Sequence, residues 1–211
     1  MSEPLALHRV AGIDVWCIDL DAGHPGLETA TRVLSTDERD RAERLRAPLA
    51  RRRFVVRHLA LRVILAGYGR ADPARLTYRA GPNGKPAIDA GPRFSLSHSG
   101  GLALCAVTAD REVGIDVERL RAVPEADDIV ERLFSAPERR HYRLLKERAP
   151  GHAFLRLWTR KEAVLKAEGV GFSDEEAVRR PHDRGRWAIH DLDGIDGHLG
   201  AVAVARTAGP G

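Results

Sequence analysis

Apolar and polar residues alternate or recur along the chain in patterns that divide it into short elements. GIDVWCIDL (residues 12–20) is β-branched and aromatic with rough alternation, which predicts a strand. Ser35 precedes the acidic turn of TDERDRAERL, the pattern of an N-capped helix. Pro48 interrupts it, and a second helix runs over residues 49–67, with Phe54, His58, Leu61 and Leu65 near helical spacing and Gly67 as its stop. RAGPNGKPAIDAGP is a loop dense in Gly, Pro and Asn. FSLSHS and LALCAVTA, separated by Gly100 and Gly101, read as strands, and VGIDVERL follows as another after the turn residues Asp110 to Glu112.

The second part of the chain repeats this order loosely. Residues 129–134 are a short helical patch, and SAPERRHYRLL has Ser135 as cap, Pro137 near the first turn and Glu138 three residues on. A helix over residues 151–167 follows, then RWAIHDL and HLGAVAVA as strands. Two stretches of like order, each with helices beside a small antiparallel sheet, predict an α+β protein with approximate internal duplication.

Composition narrows the class. Of 211 residues, 43% are hydrophobic and 30% charged, the balance of a globular protein rather than a disordered one. A net charge of +4 attracts phosphates without arguing for nucleic acid, and aromatics are only 5%, with no stacking motif. Cys17 and Cys105 lie in apolar runs with no CxxC spacing, so reduced, buried thiols are expected rather than zinc ligands or a disulfide scaffold. MSEPLALHRV has no apolar core of signal-peptide length, and no stretch reaches membrane-spanning length. A cytoplasmic protein is therefore expected.

Five stretches carry candidate chemistry. Asp116 and Glu118 are two apart on a predicted strand, so both carboxylates point to one face while Val113, Ile115 and Val117 take the other. Paired carboxylates suit a hard cation such as Mg²⁺, although a strand with one wet face is the ordinary source of such alternation. In LWTRKEAVLKAEGVG, Glu162 and Lys166 are four apart, which by itself describes a surface pair worth ~0.2–0.5 kcal/mol. Trp158, Ala163 and Leu165 would form that helix's apolar stripe, leaving Glu162 to join the carboxylates and Lys161 and Lys166 to reach phosphate. GPNGKP presents Lys85 from a turn without being a Walker loop. FSLSHS sets Ser95, Ser97 and Ser99 on one face and His98 on the other with Phe94 and Leu96, where a histidine is more often a core residue than a ligand. Arg39, Arg41, Arg44, Arg51, Arg52, Arg53 and Arg57 make a basic helical run able to offer guanidinium forks to a phosphorylated ligand. Carboxylates for Mg²⁺ beside several cations fit metal-assisted phosphoryl chemistry.

GPNGKP, FSLSHS, VGIDVE and WTRKEAVLKAEGVG occur in the order and spacing of the Sfp-type 4′-phosphopantetheinyl transferases, and the chain resembles that family over residues 81–171 and in the arginine-rich helix before them. The last motif, W-x-x-K-E-x-x-x-K-x-x-G-x-G, is long and specific. The resemblance implies two similar α/β halves related by a pseudo-twofold axis, over residues 1–107 and 108–211, with the active site between them. It implies a monomer that transfers the phosphopantetheine arm of coenzyme A to a serine of an acyl or peptidyl carrier protein and releases adenosine 3′,5′-bisphosphate. Mg²⁺ is the expected metal, with Mn²⁺ able to replace it, and neither nucleic acid nor membrane is an expected partner.

Residue by residue, Asp116, Glu118 and Glu162 match the metal-binding carboxylates. Lys161 and Lys166 match the lysines of the last motif, Lys166 reaching the pyrophosphate. His98 and Lys85 match residues that hold the coenzyme A phosphates, with Ser97 beside them, and Arg53 aligns with a residue that contacts the nucleotide. Arg41 and Arg44 are further candidates for phosphate, and Glu38 falls where the family carries a basic residue. Glu162 and Lys166 would be catalytic, Glu162 or a water on the metal taking the proton of the carrier serine. A chain that binds coenzyme A without transferring from it, as a sensor or scaffold, is the alternative; the complete carboxylate and lysine set argues against it.

Overall fold

The computed structural model describes residues 5–22, 27–81, 84–170, 175–181, 183 and 185–207. Pro82, Asn83 and Gly171, which belong to two of the motifs above, lie outside the described residues.

Two antiparallel sheets organise the protein. The first has four strands in the order β1 (Leu5–Val10), β2 (Ile13–Asp19), β6 (Leu102–Thr108), β5 (Arg93–Ser99). The second has three, in the order β7 (Val113–Arg119), β9 (His198–Ala205), β8 (Trp187–Leu192). A two-residue pair, β3 (Arg79–Ala80) with β4 (Pro86–Ala87), closes the GPNGKP loop. Strand β1 is not predicted from the pattern, and its signal was the turn: Ala11 and Gly12 both take positive φ, 50° and 78°, as a two-residue hairpin connection requires.

The helices lie outside the paired sheets. In the first half α1 (Leu27–Val33) and α2 (Thr36–Arg44) pack on α3 (Pro48–Gly69), which packs on the first sheet through Val56, Ala60, Leu61, Ile64 and Leu65. Pro48 opens α3 at its first turn, where a missing N–H costs nothing. The helix runs past Gly67 to Gly69, and Arg70 caps it in the left-handed conformation. In the second half α4 (Ala126–Leu133), α5 (Ala136–Arg148) and α6 (Ala153–Glu168) follow β7, with α7 (Glu175–Arg179) after them. Helix α6 packs Ala163, Val164 and Ala167 on Trp187, Ala201 and Ala203 of the second sheet.

The remaining faces of the two sheets meet. Ile13, Val15, Leu104 and Ala106 of the first pack against Val113, Ile115, Val117, Val202 and Val204 of the second. Every residue of β6 is therefore buried, because it has helix on one side and sheet on the other. Cys105 is buried there and Cys17 half-buried on β2, both as free thiols. No helix among the described residues is long and apolar enough to cross a membrane.

The sheet edges β5 and β7 are joined by side chains. Serine hydroxyls on β5 accept from the backbone N–H groups of β7: Ser95 from Ile115 (3.1 Å), Ser97 from Val117 (3.4 Å) and Ser99 from Arg119 (3.0 Å). An edge strand must satisfy these donors, and alternate serines supply the acceptors at the period of the strand. Ser95→Ala would strand a buried Ile115 N–H. The expected loss is about 1–3 kcal/mol of unfolding free energy, read by urea denaturation.

Candidate active site

Helix α6 can lie close on β7 only because residue 114 is glycine. A Cβ there would run into the Ala163 carbonyl and the backbone of Ala167. This contact sets Glu162 of α6 above Asp116 and Glu118 of β7, and one carboxylate oxygen from each lies within 4.8 Å of the others. Asp116 is 2% exposed, so the carboxylate side of β7 is not the wet face of a half-exposed strand; α6 covers it.

The charge balance of the cluster is incomplete. Lys166 Nζ donates to Asp116 Oδ1 (2.6 Å) and Ser97 Oγ (3.0 Å) and stands 3.5 Å from Glu162 Oε2. Ser97 Oγ donates to the same Asp116 oxygen at 2.8 Å, and Ser99 Oγ donates to Glu118 Oε2 at 3.0 Å. Asp116 Oδ2 is buried with no hydrogen-bond partner. Lys166 inside the cluster and Arg121, 4.0 Å from Glu118 Oε2 at its edge, leave three carboxylates with excess negative charge, and burial first, then the charge of Asp116, push Glu162 up to about 7. An orphaned buried carboxylate oxygen with two more carboxylates beside it is the hard-oxygen donor set that a Mg²⁺-sized cation takes.

The other expected site residues separate into two groups. His98, at the end of β5, is exposed rather than part of the core, which corrects the expectation for a histidine on an apolar face. Lost hydration, then the positive charges of Arg57 and Lys166, hold it down to about 4, so it is neutral at pH 7. Arg53 of α3 forms a two-pronged pair with Asp21 at 2.8 and 2.6 Å. Lys85 reaches from its loop to Glu112 Oε2 (2.9 Å) and to the carbonyls of Val113 (3.0 Å) and Ala167 (3.2 Å), tying the loop to β7 and to the end of α6.

Lys161 is placed elsewhere. It is 1% exposed, donates to both oxygens of Glu138 at 3.0 Å, and sits 5.1 Å from the centre of the Phe134 ring. It lines a cleft of about 660 Å³ with Phe134, Glu138, Arg160 and Trp187, and none of the three carboxylates lines that cleft. The helical period explains the separation: Lys166 is about 40° around α6 from Glu162, and Lys161 about 100° the other way.

Glu38 is accounted for in the same terms. It completes a capping box with Ser35, its Oε2 accepting from the Ser35 N–H at 2.8 Å. It also accepts from Arg62 Nε at 2.7 Å, and His58 Nδ1 lies 3.1 Å from its other oxygen. Burial alone would raise its pKa, but these donors together bring it down to about 2. Glu38 is thus a buried anchor of α2 on α3. Glu138 plays the corresponding part in the second half, capping α5 through the Ser135 N–H (2.7 Å) while it holds Lys161.

A family model described as the 4′-phosphopantetheinyl transferase superfamily matches residues 112–199, the stretch that includes β7 and α6. The chain is similar to the 4′-phosphopantetheinyl transferase HetI of Nostoc sp. strain PCC 7120, at 35% identity over 92% of this chain and 87% of that protein. It is also similar to a 4′-phosphopantetheinyl transferase of Bacillus subtilis, at 32% over 76% of this chain and 72% of the relative. A third relative, the 4′-phosphopantetheinyl transferase psf-1 of Bacillus pumilus, is 31% identical over 78% of this chain and 70% of its own length.

Proposed function

The chain belongs to the 4′-phosphopantetheinyl transferase superfamily, and on that premise we propose how its own residues carry out the transfer of phosphopantetheine from coenzyme A to a carrier-protein serine. Asp116, Glu118 and Glu162 are the residues that would hold Mg²⁺, and the orphaned Asp116 Oδ2 is the observation that carries this reading. Bound there, the ion would neutralise charge on the coenzyme A pyrophosphate.

The protein's own groups do the rest. Lys166 stabilises charge developing on the leaving adenosine 3′,5′-bisphosphate, and Ser97 and Asp116 fix its ammonium in place. The carrier serine Oγ forms its bond to the phosphorus of the phosphopantetheine phosphate as the bridging P–O bond breaks. Its proton passes to the ionised Glu162 carboxylate as the base. His98, Lys85 and Arg53 line the approach of the nucleotide. Lys161 supports α6 from its buried side rather than touching coenzyme A, which replaces its expected role.

The same proposal includes the division into halves at residues 107/108, with a pseudo-twofold relation and the site between them. Its support is the recurrence in each half of a Ser-x-x-Glu cap whose glutamate anchors a buried cation of the long helix, Arg62 in one and Lys161 in the other. It also includes action as a cytoplasmic monomer on carrier domains, whose acidic surfaces suit a chain of net charge +4.

The test is intact-mass spectrometry of an apo carrier protein incubated with this protein, coenzyme A and Mg²⁺. A gain of one phosphopantetheine that EDTA abolishes is expected. No gain across several carriers, despite measurable coenzyme A binding, would favour the binding-only alternative.

A further inference from the structure

Lys85 borders the approach proposed for the nucleotide, but its ammonium is taken up by the protein itself. We infer that Lys85 is a positioning residue for Lys166: it caps the end of α6 and does not hold a coenzyme A phosphate. The inference rests on the proposed function above, which supplies the role of Lys166.

An ammonium bonds only through its three hydrogens. All three have acceptors here: Glu112 Oε2 at 2.9 Å and the carbonyls of Val113 at 3.0 Å and Ala167 at 3.2 Å. These acceptors converge on one junction. Val113 precedes Gly114, and Ala167 is a residue whose backbone presses on Gly114, so the ammonium sits where α6 crosses β7. Glu112 is itself fixed, because Arg93 of β5 lies 3.3 Å from its other carboxylate oxygen.

The end of α6 needs this partner. The last carbonyls of a helix have no donor within the helix. The N–H groups of Val170 and Gly169 take those of Leu165 and Lys166, and Lys85 takes that of Ala167, placing a cation at the negative end of the helix. Lys166 stands one residue before Ala167, so the turn that Lys85 holds is the one that aims Nζ at Asp116 (2.6 Å) and Ser97 (3.0 Å). The loop carrying Lys85 is equally constrained. Gly81 donates its N–H to the Lys85 carbonyl at 2.7 Å, and a Cβ at Gly81 would strike that same oxygen.

The experiment measures kcat in the carrier assay and coenzyme A affinity by calorimetry. Lys85→Met keeps the apolar stem and removes the donors. It is expected to lower kcat by roughly 10- to 100-fold, the cost of a small misplacement of Lys166, with coenzyme A affinity little changed. A merely structural role would lower the melting temperature and leave kcat of the folded protein intact. Lys85→Arg, which keeps a cation beside the carbonyls, should recover part of kcat. Glu112→Gln loosens the clamp while removing no group that could bind phosphate. It should therefore lower kcat in the same way, and the double variant should be no slower than Lys85→Met alone. A phosphate ligand gives the opposite pattern: Lys85→Met weakens coenzyme A binding with kcat kept, and Glu112→Gln, by freeing the ammonium, tightens it. Either result overturns the inference, as does an unchanged kcat in Lys85→Met. Should the Met variant fail to fold, Glu112→Gln decides by the same two readings, an unchanged kcat there counting against the clamp. If the wild type transfers to no carrier, the functional reading fails instead. Hydrogen exchange then decides Lys85 separately: Lys85→Met should deprotect the Gly169 and Val170 N–H groups, and unchanged protection overturns its role.

Discussion

Replacing Glu162 by Gln is expected to cut phosphopantetheine transfer by about 10²–10⁴-fold, the range lost with a general base, while coenzyme A binding falls far less. The side chain keeps its size and can still accept a hydrogen bond, but it can neither take the serine proton nor donate a full charge to a cation. On the proposed reading coenzyme A would still have Lys166 and the cations about His98 to bind. Time courses of carrier mass gain, set beside calorimetric coenzyme A affinity, separate the two effects, and wild-type turnover in this variant would refute the assignment. A second readout comes from stability. Glu162 is a largely covered carboxylate held among like charges with a pKa raised to about 7, so its ionisation opposes folding above the unfolded value of 4.5, fully so beyond 7. In EDTA at pH 8 the Gln variant should therefore melt no lower than the wild type, and added Mg²⁺ should stabilise only the wild type strongly.

The carboxylate pair on β7 was legible because strand period alone puts residues 116 and 118 on one side. What covers that side was not legible, since the decisive residue is Gly114, whose lack of a side chain matters only once α6 arrives. Both helix caps were readable as local patterns, Ser35 and Ser135 with a glutamate three residues on. Their second partners, Arg62 and Lys161, are more than twenty residues away and come from tertiary packing. The serine stripe of β5 was visible as a face, but its task of closing the edge of β7 depends on a neighbour strand whose register no local pattern states. Lys161 is a different case. Its expected role came from the motif it shares with Glu162 and Lys166, and the helical period, which turns it about 100° from Glu162, does not state that Glu138 waits on that side to hold it.

The same reasoning makes Glu38 the residue whose loss should cost the fold most. Arg62 is 1% exposed, its NH1 group donates to the carbonyls of Pro73 and Leu76 at 2.9 Å, and Glu38 supplies its only carboxylate partner among the described residues. Glu38→Gln preserves an acceptor for the Ser35 N–H but leaves that guanidinium buried without its counter-charge, so a loss of about 3–5 kcal/mol at pH 7 is expected. The pH dependence identifies the cause. Glu38 is depressed from 4.5 to about 2, so its contribution is present above pH 4.5 and is lost as pH falls through the folded value. His58, whose pKa is lowered chiefly by burial with Glu38 counteracting, loses its own contribution beginning nearer 6.5, above that window. Urea denaturation at pH 7 and at pH 3 should then show the gap between wild type and Glu38→Gln shrinking on acidification, because the wild type loses what the variant never had. A deficit that is the same at both pH values would mean that shape rather than charge is what residue 38 supplies.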